Sequence, residues 1–519
     1  METLILVTAI LALVLSVIIY RLSLHPLAKY PGPLLGRITD CYSVYHCLKG
    51  DRYLDFMELH NRYGNIVRYG PNRLSFSTVG ALQAIYGPQA NTKKSHWYDN
   101  MTLFMKVAST HATTDKIEHS RKRRILAQAL SDRMVHVYED GFRNLLTAFL
   151  RRFSDPTSQT EGGWSTAFDM SEELMLLNFD SMGSFCFGES FGSLQNPRKA
   201  DITEKTLEGF RGLNAIGHMP GLAWLKLDAL AFRTSRAIKE YEDHAASIAD
   251  RCIQKMDAKL RQGERLSCVF DILYATSERP DIEGFTLPEL RSESTLLVTT
   301  GTDTVAGTLA NILFHLLNHP QCIVQLTTEV RTTFSNIGEI YTGKALNSCK
   351  YLVACIDEGM RLSSIVGGCL MREVGPGGIT VDGRVIPAGV DVGVPHHVIM
   401  RNSRYYDNPL EYQPERWMSA EDNADKVKAA RAAFCPFGIG PTGCVGKAWA
   451  LVEMKITLAQ LLFRYDLQII AQSDEGGLSA AQLLQLREEK SLDRFVITNK
   501  GPFVRFREAK VDGAVRGSM

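Results

Sequence analysis

The chain has 519 residues, with 58 Lys+Arg against 57 Asp+Glu and a formal net charge of +1. That balance argues against a nucleic-acid binder, which carries a basic excess, and against an acidic disordered chain. With 45% hydrophobic and 22% charged residues the chain can bury a large core, and only a prior of about 150 residues per domain speaks for three domains.

The first element is an uncharged apolar run over residues 3–20, preceded by Glu2 and followed by Arg21 and Lys29. As a helix it spans about 27 Å at ~1.5 Å per residue, close to the hydrocarbon thickness of a bilayer. A cleaved signal peptide is the competing reading. Against it, no basic segment precedes the run and no small-x-small site follows Tyr20. The positive-inside rule leaves the bulk of the chain on the cytosolic side of an anchor over 1–21. Thiols there stay reduced, so most of the eleven cysteines are expected to be buried apolar side chains, with one or two at most carrying chemistry. Next come His25-Pro26-Leu27 and Lys29-Tyr30-Pro31-Gly32-Pro33, whose prolines predict a stiff, extended hinge over 22–35. No later seam or repeat divides the chain, which predicts one domain over 36–507 and a flexible tail over 508–519.

Strand signals are few. Ile66-Val67-Arg68-Tyr69 and Arg73-Leu74-Ser75-Phe76 flank Gly70-Pro71-Asn72 and predict a hairpin. Apolar residues at three- and four-residue spacing predict helices over 145–153, 237–260, 286–317, 323–334, 354–362 and 448–463. The fold class is therefore mainly α with a small β portion. The 286–317 helix has readable ends, a capping box at Thr286-Leu287-Pro288-Glu289 and a stop at Asn318-His319-Pro320. Its middle, Thr299-Thr300-Gly301-Thr302-Asp303-Thr304, strings together poor helix formers worth about 3 kcal/mol against alanine. A local opening is expected there, with a close helix crossing through small residues as the alternative.

The stretch Phe437-Gly438-Ile439-Gly440-Pro441-Thr442-Gly443-Cys444-Val445-Gly446 leads into the 448–463 helix. It delivers one cysteine to the first helical turn, where unpaired N–H groups and the helix dipole favour a thiolate. Gly440 and Gly446 let the backbone turn tightly and approach a flat group, and Phe437 is placed to shield the sulfur. A buried inert thiol is the competing reading for a lone cysteine. A zinc site shared with Cys435 lacks further ligands.

Together these segments resemble the cytochrome P-450 superfamily of haem-thiolate monooxygenases over nearly the whole chain. The 437–446 loop is similar to its F-x-x-G-x-R-x-C-x-G motif, Glu358-Gly359-Met360-Arg361 to E-x-x-R, and Pro414-Glu415-Arg416-Trp417 to P-E-R-F/W. Gly301-Thr302-Asp303-Thr304 is similar to the oxygen-activating pattern, and His119 with Arg123 to the W-x-x-x-R pair that holds haem propionates. The proline-rich hinge and Arg68-Tyr69-Gly70-Pro71-Asn72 resemble microsomal members from filamentous fungi. The resemblance implies a haem-thiolate fold behind one transmembrane helix, with haem b as cofactor and Cys444 as axial ligand to its iron. It implies Asp303 and Thr304 as the catalytic proton-delivery pair, and Phe437, Gly440, Thr442 and Gly446 around the cofactor. His119, Arg123 and Arg372 would hold the propionates, and Glu358, Arg361 and Arg416 would form an ion cluster that maintains the fold. Some positions depart from the pattern. Thr442 stands where Arg or His is usual and cannot neutralise a propionate, so haem retention leans on Arg123 and Arg372. Thr300 replaces an alanine, Val305 a second threonine, and His119 the tryptophan.

No dinucleotide fingerprint or ferredoxin-like cysteine set is evident, so electrons come from outside. The resemblance implies an NADPH-cytochrome reductase in the endoplasmic reticulum membrane, with the catalytic domain facing the cytosol. Arg121, Lys122 and Arg124 with Lys447 are a candidate docking patch, a solvated basic turn being the alternative. The leading function is O2-dependent hydroxylation of an apolar small molecule, such as a secondary-metabolite intermediate. A haem-thiolate isomerase, dehydratase or oxidative coupling enzyme, and a non-catalytic haem-binding membrane protein, are the alternatives. By resemblance the pocket draws on 91–117, 206–225, 294–304 and 363–370; Met101, Leu103, Phe104, Met105 and Val107 are its apolar wall or plain core.

Overall fold

Helices carry the architecture, and the one with the clearest end signals, Leu287–Leu317, runs through the main apolar core. Its start is closed by the expected capping box: Thr286 Oγ1 accepts from the Glu289 N–H, and the Glu289 carboxylate accepts the Thr286 N–H at 2.7 Å. In this computed structural model the helix does not open in its middle. Thr299, Thr302, Thr304 and Thr308 each donate a hydroxyl to the carbonyl four residues back at 2.7 Å, so the poor helix formers are satisfied along the ladder without breaking it. A Cβ on Gly301 would lie 2.3 Å from Met182 Sδ on the helix Met170–Phe187, so this glycine serves a close crossing.

Residues 1–102, 107–219, 268–277, 283–419, 423–472 and 475–510 are described, with single positions between 240 and 254. Most of the expected 237–260 helix, pocket residues 103–106 and 220–225, Cys252 and the tail from 511 lie outside the described residues. The other expected helices form, extended mainly at their N-termini: Asp132–Arg152, Pro320–Thr333, Lys350–Leu362 and Lys447–Arg464. In Asp132–Arg152 the buried spacing already starts at Val135 and continues through Tyr138, Phe142 and Leu146, so the helix begins earlier than expected.

The expected hairpin pairs Ile66–Gly70 with Arg73–Phe76, with a bulge between Arg68 and Gly70. It grows into a five-stranded sheet. Arg73–Phe76 runs parallel to Asp391–Gly393, which is antiparallel to Arg372–Val374, which is antiparallel to Thr92–Lys94. This register sets Lys94 opposite Arg372. The three added strands have three residues each, too few for an alternation signal. In a second, three-stranded sheet Phe503–Glu508 is the central strand, and Glu508 pairs with Tyr465, so the chain is still in a strand where the tail was expected to begin.

At the start, Glu2–Ile19 is helical and one π turn carries it to Leu24. The span Glu2–Leu24 has mean hydropathy 2.8, no buried part, and length enough to cross a membrane. The expected extended hinge is instead docked. Leu27 and Tyr30 are buried, the Arg68 N–H donates to the Pro31 carbonyl at 2.7 Å, and the Arg68 guanidinium reaches the Arg21 carbonyl at 2.7 Å. Proline-rich chain has carbonyls without helical partners, and Arg68 and Arg37 supply them, Arg37 at the Ala28 carbonyl, 3.1 Å. Among the described cysteines only Cys41 and Cys444 are exposed; all are free thiols.

Candidate active site

Cys444 lies before the helix Lys447–Arg464, not in its first turn as the sequence suggested. Its N–H donates to the Phe437 carbonyl at 2.7 Å, which closes the loop under the sulfur. Gly440 has φ +68°, and a Cβ there would sit 1.9 Å from the Tyr86 carbonyl oxygen. Its lack of a side chain therefore serves packing against protein backbone. At Gly446, by contrast, an added Cβ would meet only Cys444 Sγ, at 3.9 Å. Phe437 is half-buried against the main core, with Lys447 over its ring.

The side chain of Cys444 is accessible, yet the protein around it withdraws it from bulk water, and this desolvation raises the thiol above its ordinary value. The N–H groups of Gly446 and Lys447 and the charge of Arg123 pull the other way. Burial opposes the thiolate, and these partial charges favour it. A bound metal cation is what makes a sulfur ligand fully anionic.

Around Arg372 the structure gathers more positive charge than the sequence indicated. Arg372 donates to Thr442 Oγ1 at 2.8 Å and to the Leu370 and Met371 carbonyls at 3.1 and 2.9 Å, and its guanidinium lies over Tyr86 and Tyr98. Arg123, on the helix Lys116–Ala129, has no hydrogen bond or ion pair from its side chain to the described residues. His119, one turn earlier, is pushed down to about 3 by burial and by the charges of Lys94, Arg123 and Arg372, so it offers a neutral N–H and no charge. Lys94 was not singled out from the sequence. Nothing in Thr92-Lys93-Lys94 marks one lysine as buried; only the short strand pairing does.

Asp303 is buried, its Oδ1 has no hydrogen-bond partner, and burial pushes its carboxyl up to about 7. Thr304 beside it is half-buried and Thr300, a turn earlier, is exposed, so one stripe of this core helix stays accessible. The ion cluster assembles as expected. Glu358 accepts from Arg361 at 2.8 and 2.9 Å, from Arg416 at 2.9 Å, from the Trp417 indole at 3.0 Å and from the Gln413 N–H at 2.9 Å.

The docking patch does not assemble as expected. Lys122 is buried against Glu289 at 3.0 Å and donates to the Ala108 carbonyl, while Arg121 pairs with Glu118 and Glu289. They fasten their helix to the start of Leu287–Leu317, and of the four residues only Arg124 and Lys447 are exposed. A small recess draws on three expected pocket segments through Trp97, Asn214 and Leu370, and adds Arg52 and Phe495, which the sequence reading did not name.

An accessible sulfur and a set of buried cations without carboxylate partners ask for one ligand that offers both a metal and a pair of anions. Haem, with its iron and two propionates, is such a ligand, and the haem-thiolate proteins are the class built to hold it by cysteine. The chain belongs to the cytochrome P450 family, whose family model matches residues 26–491. It is 35% identical over 505 residues, 95% of this chain and 94% of the relative, to the cytochrome P450 monooxygenase atnE of Emericella nidulans. It is 33% identical to poxM of Penicillium oxalicum, over 97% of this chain and 94% of that one, and 32% identical to AKT7 of Alternaria alternata, over 97% of each; both are also named cytochrome P450 monooxygenases. The chain is therefore an oxidoreductase of a family that binds haem through a cysteine thiolate and works with O2, a substrate and a redox partner.

Proposed function

We propose that the chain is a membrane-anchored monooxygenase that hydroxylates an apolar small molecule, a secondary-metabolite intermediate, with electrons from an NADPH-dependent flavoprotein reductase. The apolar span Glu2–Leu24 supports an anchor in the endoplasmic reticulum membrane with the domain on the cytosolic side, since Arg21 and Lys29 follow it. The match from residue 26 and the docked hinge support a catalytic domain that begins before residue 36.

The observation that carries the oxygenase reading is Asp303, a buried carboxyl with an unpartnered oxygen beside an accessible threonine. Haem, when bound, supplies the activation of oxygen and its transfer to substrate. Cys444 supplies the anionic sulfur, whose charge the N–H groups of Gly446 and Lys447 hold in place. Near neutral pH the Asp303 carboxyl is divided between acid and base, so it gives a proton inward and regains one from solvent. Thr304 now donates to the Thr300 carbonyl at 2.7 Å; turning its hydroxyl away from that bond lets it pass the proton on. Glu358, Arg361 and Arg416 we assign to holding the fold, because their bonds close on one another and on backbone.

The test is a carbon monoxide difference spectrum of the reduced full-length protein, followed by NADPH consumption with reductase. A thiolate-type Soret band is expected, and its absence overturns the reading. Asp303→Asn should keep that band and slow turnover by about 10²-fold, the scale of general acid–base catalysis. The donor is the protonated form, so wild-type turnover should fall as pH rises through about 7. Asp303→Asn should lose that limb; a variant that keeps both rate and pH profile removes Asp303 from the chemistry.

A further inference from the structure

The recess at Trp97 and Phe495 holds two buried polar side chains that have no part in the haem site. Arg52, at the start of the helix Arg52–Tyr63, and Asn214, on the helix Asp201–His218, both line it, together with Gly368. Arg52 Nη2 and Asn214 Oδ1 each lack a hydrogen-bond partner. The aromatic wall beside them is fixed. The Trp97 indole donates to the Asn214 carbonyl at 3.3 Å and stacks on Phe495, with ring centroids 5.7 Å apart. A Cβ on Gly217 would lie 2.3 Å from Trp97 Nε1, so this glycine lets the Asn214 helix pack directly on the indole. Phe495 has φ +81°, a left-handed conformation unfavourable for an aromatic residue, and its N–H donates to Asp493 Oδ1 at 3.0 Å.

Charge decides what kind of group completes this recess. Asp493 also lines it, and Arg52 and Asp493 feel each other's charge, although Arg52 forms no ion pair among the described residues. The Asp493 carboxylate is spent on the N–H groups of Phe495 and Tyr53. An anionic ligand would meet Asp493 as well as Arg52, and a purely apolar one would leave a donor and an acceptor unpaired in the interior. A hydroxyl avoids both costs, because one neutral oxygen accepts and donates, and it can bond the Asn214 amide whichever way that group is turned. We propose that this recess binds a hydroxyl on the otherwise apolar substrate, as acceptor from Arg52 Nη2 and donor to Asn214 Oδ1. Leu370 lines the recess as well, and Arg372, at most about 7 Å further along the chain, donates to Thr442 in the cysteine loop. A Cβ on Gly368 would meet no atom within 4 Å, so the wall is open at that point.

The inference rests on the monooxygenase reading and narrows its substrate class, and the experiment separates the two. The full-length holoprotein is titrated with octanol, dodecanol and hexadecanol, with the alkanes of the same lengths and with the matching carboxylates, and the Soret shift on binding is read. The best alkanol should bind about tenfold tighter than its alkane, the equivalent of ~1.4 kcal/mol, and tighter than its carboxylate. Asn214→Leu should lower that alkanol preference about fivefold, the scale of one hydrogen bond. Gly368→Leu, which fills the opening, should weaken the alkanol and leave the alkane as in wild type. Equal binding of alkanol and alkane makes the recess a water site and overturns the proposal. So does tighter binding of the carboxylate, which makes Arg52 an anion site, and so does an alkanol preference that both variants keep. A protein that shows the carbon monoxide band but no Soret shift with any of these probes overturns it as well. A wild-type protein without the thiolate-type carbon monoxide band fails at the earlier step, before the recess is in question.

Discussion

Arg361 and Arg372 are close in sequence and both buried, yet one is closed and the other open. Arg361 spends its donors on both Glu358 oxygens and on the carbonyls of Met400, Pro409 and Glu411, at 2.7 to 3.1 Å. Arg372 meets carbonyls, two hydroxyls and two aromatic rings but no carboxylate, with Lys94 opposite it in the sheet. A guanidinium whose countercharge belongs to the protein fixes structure. One without a carboxylate either spends its donors on carbonyls, as Arg68 does at Arg21 and Pro71, or is left open to an anionic ligand. Burial is the same in both cases, so burial alone does not separate structure from function; the accounting of partners does.

Breaking the closed side should have the larger effect. Arg361→Met leaves the Glu358 carboxylate buried with one guanidinium fewer, which costs about 3–5 kcal/mol. That is a large part of a domain's stability of about 5–15 kcal/mol, so little folded protein is expected, and its thermal midpoint should drop steeply. On the open side, Arg372→Ala should leave the thermal midpoint of the haem-free protein nearly unchanged and speed haem loss about tenfold, ~1.4 kcal/mol. An Arg372 variant that retains haem as wild type, or unfolds as readily as Arg361→Met, removes the distinction.

The smallest effect sharpens the same rule at the surface. Lys122 is paired and buried, Lys447 exposed. Lys447→Glu should slow reduction by the reductase a few-fold at low salt, an effect that fades as ionic strength rises. Lys122→Met should lower stability instead and leave the reduction rate alone. Equal reduction rates for Lys447→Glu and wild type at low salt would remove this face from docking.

Much of the site was legible because its signals are local. The 437–446 loop, the Glu358/Arg361 spacing and the capping box at Thr286 involve residues within a few positions of one another. The expected opening at 299–304 failed for a local reason as well, since threonine hydroxyls can satisfy themselves on the ladder they were expected to break. Lys122 misled because charge in a sequence carries no sign of burial; its partner Glu289 is on another helix. Lys94 escaped notice because its meaning comes from a three-residue strand paired with one far along the chain.

The sequence by itself determined the helical class, the apolar N-terminal span, the cysteine loop and the Asp303-Thr304 pair, all written in periodicity and short-range spacing. Only the tertiary structure decided that the proline-rich segment is docked, that the basic turn is an internal fastening, and that Lys94 joins Arg372 and Arg123 without a carboxylate among them. The reason is physical: a side chain's charge is fixed by its identity, but the cost of that charge is fixed by what folding brings beside it.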